Sequence, residues 1–272
     1  MALVPGATTL TLDGSVRAAW SDGSRGDLRP TGPGPGDAGP LVTFAVDAAA
    51  TGPSRIDRVV WGTQVHGADV VVVEAGNPAS GTRPVIEHRG ACDALVTDAP
   101  GTALCVLTAD CAPVALSSPE GVAGAVHAGW RGLVAGVIEA AVDAMRTRGA
   151  SEVTAAVGPC IHASCYEFSP ADLDVVAASY GDGVRATTTD GRPALDLVAG
   201  VAAAVAAGGA RLVHGAGGTR GSDGRDAVDG QDGVDGCTAC GGRWFSHRAR
   251  SDAGRQAMLV WSTRPAGPGE AR

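Results

Sequence analysis

Two short stretches hold the residues best suited to chemistry: Thr108-Ala109-Asp110-Cys111 and, sixteen residues beyond that cysteine, His127-Ala128-Gly129-Trp130-Arg131-Gly132. Each puts a soft metal ligand at the end of a β-like run, where α/β proteins keep their reactive groups. Upstream, Gln64-Val65-His66-Gly67 adds a second imidazole. His66, Cys111 and His127 then make a set of one thiolate and two imidazoles, the donor types that suit zinc, whereas carboxylate-rich sets suit magnesium or manganese. Three protein ligands leave a fourth position for a reactant, as in catalytic metal sites. No short C-x-x-C or H-E-x-x-H pins the set, and a buried thiol beside two hydrogen-bonded imidazoles would use the same residues.

The neighbours extend the candidate site. Arg131 lies in a tight Gly129–Gly132 turn ahead of a strong helical pattern, where a guanidinium beside backbone N–H groups would receive phosphate; a surface ion pair is the competing use. Trp130 could stack on a base or sugar, or belong to the core. Asp110, next to Cys111, is a candidate for orienting the centre or moving a proton to a leaving group, and equally for holding a turn. A second reading makes Cys111 a nucleophile and His127 its base. A rival metal set, Cys160-x4-Cys165 with Cys237-x2-Cys240, would be a four-thiolate structural zinc. His88 and His214 lie in polar, loop-like surroundings, and His162 and His247 have no ligand spacing to another histidine.

The elements that must position these residues are legible from periodicity. Strands are expected at Ile56–Val65, Ala68–Val73, Asp93–Thr97, Ala103–Thr108, Gly121–Val126 and Val153–Val157, mostly apolar and hence buried. Leu133, Val134, Val137, Ile138, Ala141, Val142 and Met145 predict one helix, with Arg146 and Arg148 at its C-terminal end before Gly149. Ser169-Pro170 opens another, Ser as N-cap and Pro at the first position, closed by Gly181. Residues 194–207 form an alanine-rich helix stopped by Gly208-Gly209. Residues 21–40 are Gly-, Pro- and Asp-rich and are expected to be loop. Residues 215–236 are too polar and glycine-rich to bury a core and are expected as a mobile insertion; their Asp-Gly repeats lack the spacing and closing Glu of a calcium loop. Arg243–His247 and Gln256–Trp261 are expected as a closing pair of strands. The mixture predicts an α/β or α+β fold, a mixed sheet flanked by helices, in one domain over 1–272.

Composition bounds the function. A chain of 272 residues can bury a sizeable core. The net charge of −8 leaves no basic face for phosphate backbones, which argues against nucleic acid. No apolar run reaches the ~20 residues of a membrane span, and the amino terminus lacks the pattern of a secretory signal, so a cytoplasmic protein is expected. All 21 basic residues are arginine, so lysine chemistry is absent. Seven cysteines without a dense framework predict reduced thiols, some of them ligands.

Taken together, Gln64–Gly67, Asp93-Ala94-Leu95-Val96-Thr97, Thr108–Pro113 and His127–Gly132 resemble the multicopper polyphenol oxidoreductase, or laccase-domain, family. Gly158-Pro159-Cys160-Ile161 with Tyr166-Glu167, Leu195-Asp196-Leu197, Cys237-Thr238, Phe245-Ser246-His247-Arg248 and Gly254-Arg255-Gln256-Ala257 continue the match in order, over about 55–262. Members are described as purine nucleoside phosphorylases, some as peptidoglycan editing factors. The resemblance implies a single domain like that of the cytotoxic-necrotizing-factor-like deamidases, with Zn2+ on His66, Cys111 and His127. It also implies phosphorolysis of adenosine, inosine and guanosine, with adenosine deamination and methylthioadenosine cleavage as family activities. The expected partners are purine nucleosides and phosphate, the expected state a monomer. Cys111, His127, Arg131 and Asp110 are then the expected catalytic groups, and Gln64, Trp130 and Arg248 the substrate contacts.

The amino-terminal part departs from the family. Its Phe-Ser/Thr-x-Arg-x-Gly-Gly segment and its Asn-Arg pair are replaced by Ala19–Gly26 and Thr43-Phe44-Ala45-Val46-Asp47, with Arg25 a possible substitute cation. Two alternatives stay open: a Cys/His amidase-type hydrolase editing peptidoglycan precursors, which the fold analogy and the editing-factor name of some members suggest, and a nucleoside-binding protein with reduced activity, which these departures suggest. True multicopper oxidation fails on counting. One blue-copper centre takes two His and one Cys, and the further histidine-rich cluster outruns the six histidines present.

Overall fold

Central strands buried on both faces set the architecture. A computed structural model describes residues 6–13, 15–31, 38–52, 55–76, 83–214 and 236–263. In chain order the strands are β1 (Ala7–Leu12), β2 (Val16–Ser21), β3 (Arg58–Thr63), β4 (Val70–Val72), β5 (Val85–Ala91), β6 (Ala94–Thr97), β7 (Thr102–Thr108), β8 (Ala112–Ser117), β9 (Ala123–Ala128), β10 (Thr154–Val157), β11 (Arg185–Thr187), β12 (Pro193–Leu195), β13 (Arg211–His214) and β14 (Gln256–Ser262). The helices are α1 (Gly39–Ala49), α2 (Trp130–Val134), α3 (Val137–Thr147), α4 (Pro170–Tyr180), α5 (Leu197–Ala207) and α6 (His247–Arg250).

Two six-stranded mixed sheets form, ordered β1-β2-β14-β7-β3-β5 and β13-β10-β8-β9-β6-β4. Successive residues point to opposite faces of a strand. Along β7, Leu104 and Val106 turn inward with Met258 and Val260 of β14, and meet Leu95, Ala115, Ala123 and Ala125 of the second sheet. The odd-numbered residues Cys105, Leu107, Leu259 and Trp261 turn outward onto Leu41, Phe44, Ala45 and Ala48 of α1. The second sheet turns Val96, Val114, Leu116, Val126 and Ala155 outward onto α3, α4 and α5. The result is four layers, helix–sheet–sheet–helices, a mixed α/β fold whose central strands are buried on both faces.

Several expectations are corrected. Residues 21–40 are not all loop: β2 runs through Ser21, a 3-10 turn spans Gly23–Arg25, and α1 starts at Gly39 with Pro40 in its first turn. The helix expected from Leu133 to Met145 is two helices, because Gly136 adopts a left-handed φ of 83° between α2 and α3. Arg243–His247 is not a strand; β14 pairs instead with β2 and β7, while Ser246 caps α6 by accepting the Ala249 N–H. Elsewhere the elements fall near their expected places, with Ser169 and Asp196 capping α4 and α5 through their side chains. The expected insertion lies outside the described residues apart from Gly236. Among the described residues no helix is long and apolar enough to cross a membrane.

Candidate metal centre

The strand directions bring three strand ends to one end of the two sheets. His66 follows the end of β3; Cys111 lies in the 109–111 link that carries the chain from β7 in the first sheet to β8 in the second; His127 is the penultimate residue of β9. One donor atom from each lies within 4.8 Å of the other two. Cys111 Sγ is 3.6 Å from His66 Nε2, and the two imidazoles meet edge to face at 4.9 Å between centroids. Bond lengths of ~2.3 Å to sulfur and ~2.05 Å to nitrogen put tetrahedral S and N ligands about 3.5 Å apart. The separation fits a small divalent cation gripped by these three side chains.

Asp93, at the head of β6, assembles the set. Its Oδ2 accepts the N–H groups of Val65 (3.1 Å) and Gly67 (2.8 Å); its Oδ1 accepts that of His66 (3.0 Å) and the Nδ1–H of His127 (2.8 Å). The last bond fixes the His127 tautomer and leaves Nε2 for a metal, the carboxylate–histidine arrangement found around ligating imidazoles. The first three hold His66 at φ 61°, a left-handed conformation that costs a non-glycine residue roughly 1–2 kcal/mol. Gly129 supplies room: a Cβ there would stand 2.6 Å from His66 Cδ2 and 3.1 Å from Cys111 Sγ.

The electrostatics favour an ionised sulfur. Burial alone would raise the Cys111 pKa, but His127 and His66 overcome it and bring the thiol down to about 6. Burial would lower the His127 pKa, but the Cys111 thiolate and Asp93 push the imidazole up to about 9. Without a metal the two form a thiolate–imidazolium pair. Asp93 is lowered: its burial opposes ionisation, and the bonds from His127, Gly67 and Val65 outweigh that.

A cavity of about 490 Å3 opens over these donors, walled by Trp61, Tyr166, Asp110 and Arg248 among others. The profile of a family described as multi-copper polyphenol oxidoreductase laccase matches residues 43–263 of the sequence. The chain belongs to this laccase-domain family. Among its relatives are proteins named purine nucleoside phosphorylase from Streptomyces griseus, 41% identical over 207 residues (75% of this chain, 74% of the relative), and Streptomyces coelicolor, 42% identical over 207 residues (75% of each). A Neisseria meningitidis protein of known structure shares the fold, with a TM-score of 0.67 at 24% identity over 94% of this chain and 99% of its own. YlmD from Geobacillus stearothermophilus does so at TM-score 0.66 and 25% identity, over 92% of each chain.

Against this laccase-domain frame the other expected site residues divide. Asp110 borders the cavity at φ 96°, its oxygens accepting Thr238 Oγ1–H and the Arg248 N–H, each at 2.6 Å. Arg248 lies over the Tyr166 ring at 4.9 Å and donates to Glu167 O at 2.7 Å. Gln64 lines the cavity, but its amide is doubly bonded to the backbone of Leu107, donating at 2.6 Å and accepting at 2.8 Å. Trp130 packs edge-on against Phe168, 5.4 Å between centroids, as part of the core. Arg131 is exposed and stacks over Trp130 at 4.3 Å, in the first turn of a helix only five residues long; neither it nor Trp130 is among the cavity-lining residues.

Sequence reasoning gave no role to Trp61, Tyr166, Arg29, His247 or Arg255, all of which line the cavity. Nor did it give one to Asp93, although an acid opening an apolar strand was a usable signal. Arg25, considered as a substitute cation, is paired with Asp47 of α1 at 2.9 Å and lies over Phe44. Of the four cysteines in the rival metal set, Cys165, Cys237 and Cys240 gather, whereas Cys160 is buried in the core outside the group.

Proposed function

We propose that this chain is a zinc-dependent purine nucleoside phosphorylase that cleaves adenosine, inosine or guanosine with phosphate to the free base and ribose 1-phosphate. The carrying observation is the His66, Cys111 and His127 donor set on the floor of a cavity that has aromatic and cationic walls. The relatives named for this activity support the same reading. Zinc held there would supply a Lewis acid that orients an anionic oxygen.

The chain's own groups divide the remaining work. Trp61 and Tyr166 offer ring faces to a purine, while Arg248 at the rim faces the charge of phosphate. Burial holds the Tyr166 hydroxyl pKa above its ordinary value, so it stays a neutral donor at neutral pH. Phosphorolysis forms a bond from a phosphate oxygen to the anomeric carbon as the bond to the purine nitrogen breaks, and the proton given up by hydrogen phosphate passes to the purine, which leaves as the neutral base. Asp110 holds Arg248 by its backbone and is the carboxyl group closest in sequence to the thiolate. In this reading Gln64 braces the His66 loop, while Trp130 and Arg131 build the wall behind the site. Purified protein loaded with zinc should release hypoxanthine from inosine only when phosphate is present, and His127→Ala should lose this release; full activity in that variant would defeat the assignment.

The thiolate–imidazolium character of Cys111 and His127 favours one second reading, a cysteine hydrolase. It requires activity in metal-free protein and a covalent adduct on Cys111 with an amide substrate. The phosphorylase reading requires neither.

A further inference from the structure

A second cluster of soft donors lies outside the site just described. Cys165 ends the 3-10 turn Ala163–Cys165 that follows β10, while Cys237 and Cys240 lie in the described segment that begins at Gly236. Their sulfur atoms all lie within 4.8 Å of one another. Cys165 Sγ and Cys240 Sγ are 3.3 Å apart. That is far beyond the ~2.05 Å of a disulfide and near the ~3.8 Å of two thiolates on one zinc.

The backbone around the sulfurs is arranged for negative charge. The N–H groups of His162, Ala239 and Cys240 are directed at the Cys237 sulfur. In the Cys237-Thr238-Ala239-Cys240 turn, the carbonyls of Thr238 and Ala239 face the other way and accept from Arg250, both at 3.1 Å. Amide donors on the first sulfur of a C-x2-C turn favour its thiolate, the form that ligates zinc. Cys237 is buried and Cys240 exposed, so the cluster has a closed side and an open one.

We propose that Cys165, Cys237 and Cys240 form a second metal site, a thiolate clip for zinc that fastens the 236–240 segment to the turn after β10. The fourth position opens to solvent beside Cys240. The clip would reinforce contacts that already join this segment to the core. Cys237 is tied to Cys160 through a parallel bridge, and the adjoining Thr238 is the hydroxyl that holds Asp110.

The test uses the full chain purified under reducing conditions, with zinc per chain measured by elemental analysis. Cys165→Ser and Cys240→Ser should each lose one zinc equivalent relative to wild type, whereas His127→Ala should keep that equivalent. Cobalt(II) titrated into metal-free His127→Ala should give an intense near-ultraviolet sulfur-to-cobalt band that saturates at one equivalent. The band should vanish when Cys240→Ser is added, an exposed position where serine leaves the core intact; circular dichroism checks the fold of each variant. Unchanged zinc content in Cys240→Ser, or no cobalt band in His127→Ala, overturns the proposal. So does a Cys165–Cys240 disulfide in the freshly purified protein by non-reducing peptide mass spectrometry.

Discussion

Asp93→Asn isolates what the buried carboxylate contributes, because the side chain keeps its shape and loses only charge and one acceptor. Each oxygen takes two donors: His127 Nδ1 and the His66 N–H on Oδ1, the Val65 and Gly67 N–H groups on Oδ2. Whichever way the amide turns, its NH2 faces two donors. If it replaces Oδ1, His127 can accept only by moving its proton to Nε2, the atom a metal needs. If it replaces Oδ2, the loop holding His66 at φ 61° loses two of its three anchors. A buried donor left without a partner costs ~1–3 kcal/mol, an upper bound for these partly buried loop N–H groups, so the fold should lose at most about 6 kcal/mol. Zinc affinity should drop about 10–100-fold, as for other groups that orient metal ligands. Urea unfolding of metal-free protein measures the first quantity and competition with a chromophoric chelator the second. Stability within ~0.5 kcal/mol of wild type, together with unchanged zinc affinity, would refute the claim that Asp93 organises the centre.

Other perturbations test neighbouring links. In metal-free protein the alkylation rate of Cys111 should fall as pH drops through about 6, because protonation removes the thiolate that the two imidazoles stabilise. His127→Gln should move that midpoint upward, peptide mapping separating Cys111 from the other thiols; a midpoint unmoved by the substitution contradicts the pairing. Gly129→Ala puts a methyl group against His66 and Cys111 and should cut turnover about 100-fold, the scale of an ångström's misplacement at a reacting centre. Wild-type kinetics would mean that the donors need no such closeness. Gly158→Ala drives a Cβ into the Trp20 ring and should cost about 1–3 kcal/mol in urea unfolding. Gly183→Ala, with no neighbour within 4 Å of the added carbon, is its control.

The legible parts of the fold are those where burial is two-sided or a cap is explicit. β7, β9 and β14 are buried throughout, so they read as unbroken apolar runs. Ser169-Pro170 and Gly181 bracket α4 by side-chain and backbone chemistry that any sequence displays. β5 was not legible because it is an edge strand whose residues Glu87, His88, Arg89 and Gly90 are largely solvent-facing, with no apolar alternation. α1 was hidden by the Gly- and Pro-rich run that leads into it, although Leu41, Phe44, Ala45 and Ala48 mark one helical face. Arg131 and Trp130 show the limit for the site. Their place beside a motif suggested chemistry; the helical turn from Gly129 sets Trp130 edge-on to Phe168 with Arg131 over its ring, and neither residue lines the cavity itself.

Both loops that carry ligands depend on strained backbone, and both are held by a carboxylate. His66 at φ 61° is tied down by Asp93; Asp110 at φ 96°, immediately before Cys111, is tied down by its own oxygens to Thr238 and Arg248. Strain of this kind persists only where the surroundings over-determine it. The two carboxylates draw in different parts of the chain: Asp93 joins the β3 loop to β9, and Asp110 joins the β7–β8 link to the 238–248 segment. Sequence proximity to a ligand revealed Asp110, whereas Asp93 stands 27 residues from His66 and 34 from His127. Its importance arises from the crossing of two sheets, a property of topology and not of spacing. A donor set scattered over the chain thus becomes a defined centre through these two acids, and their substitution should loosen it more than any change to the cavity's outer wall.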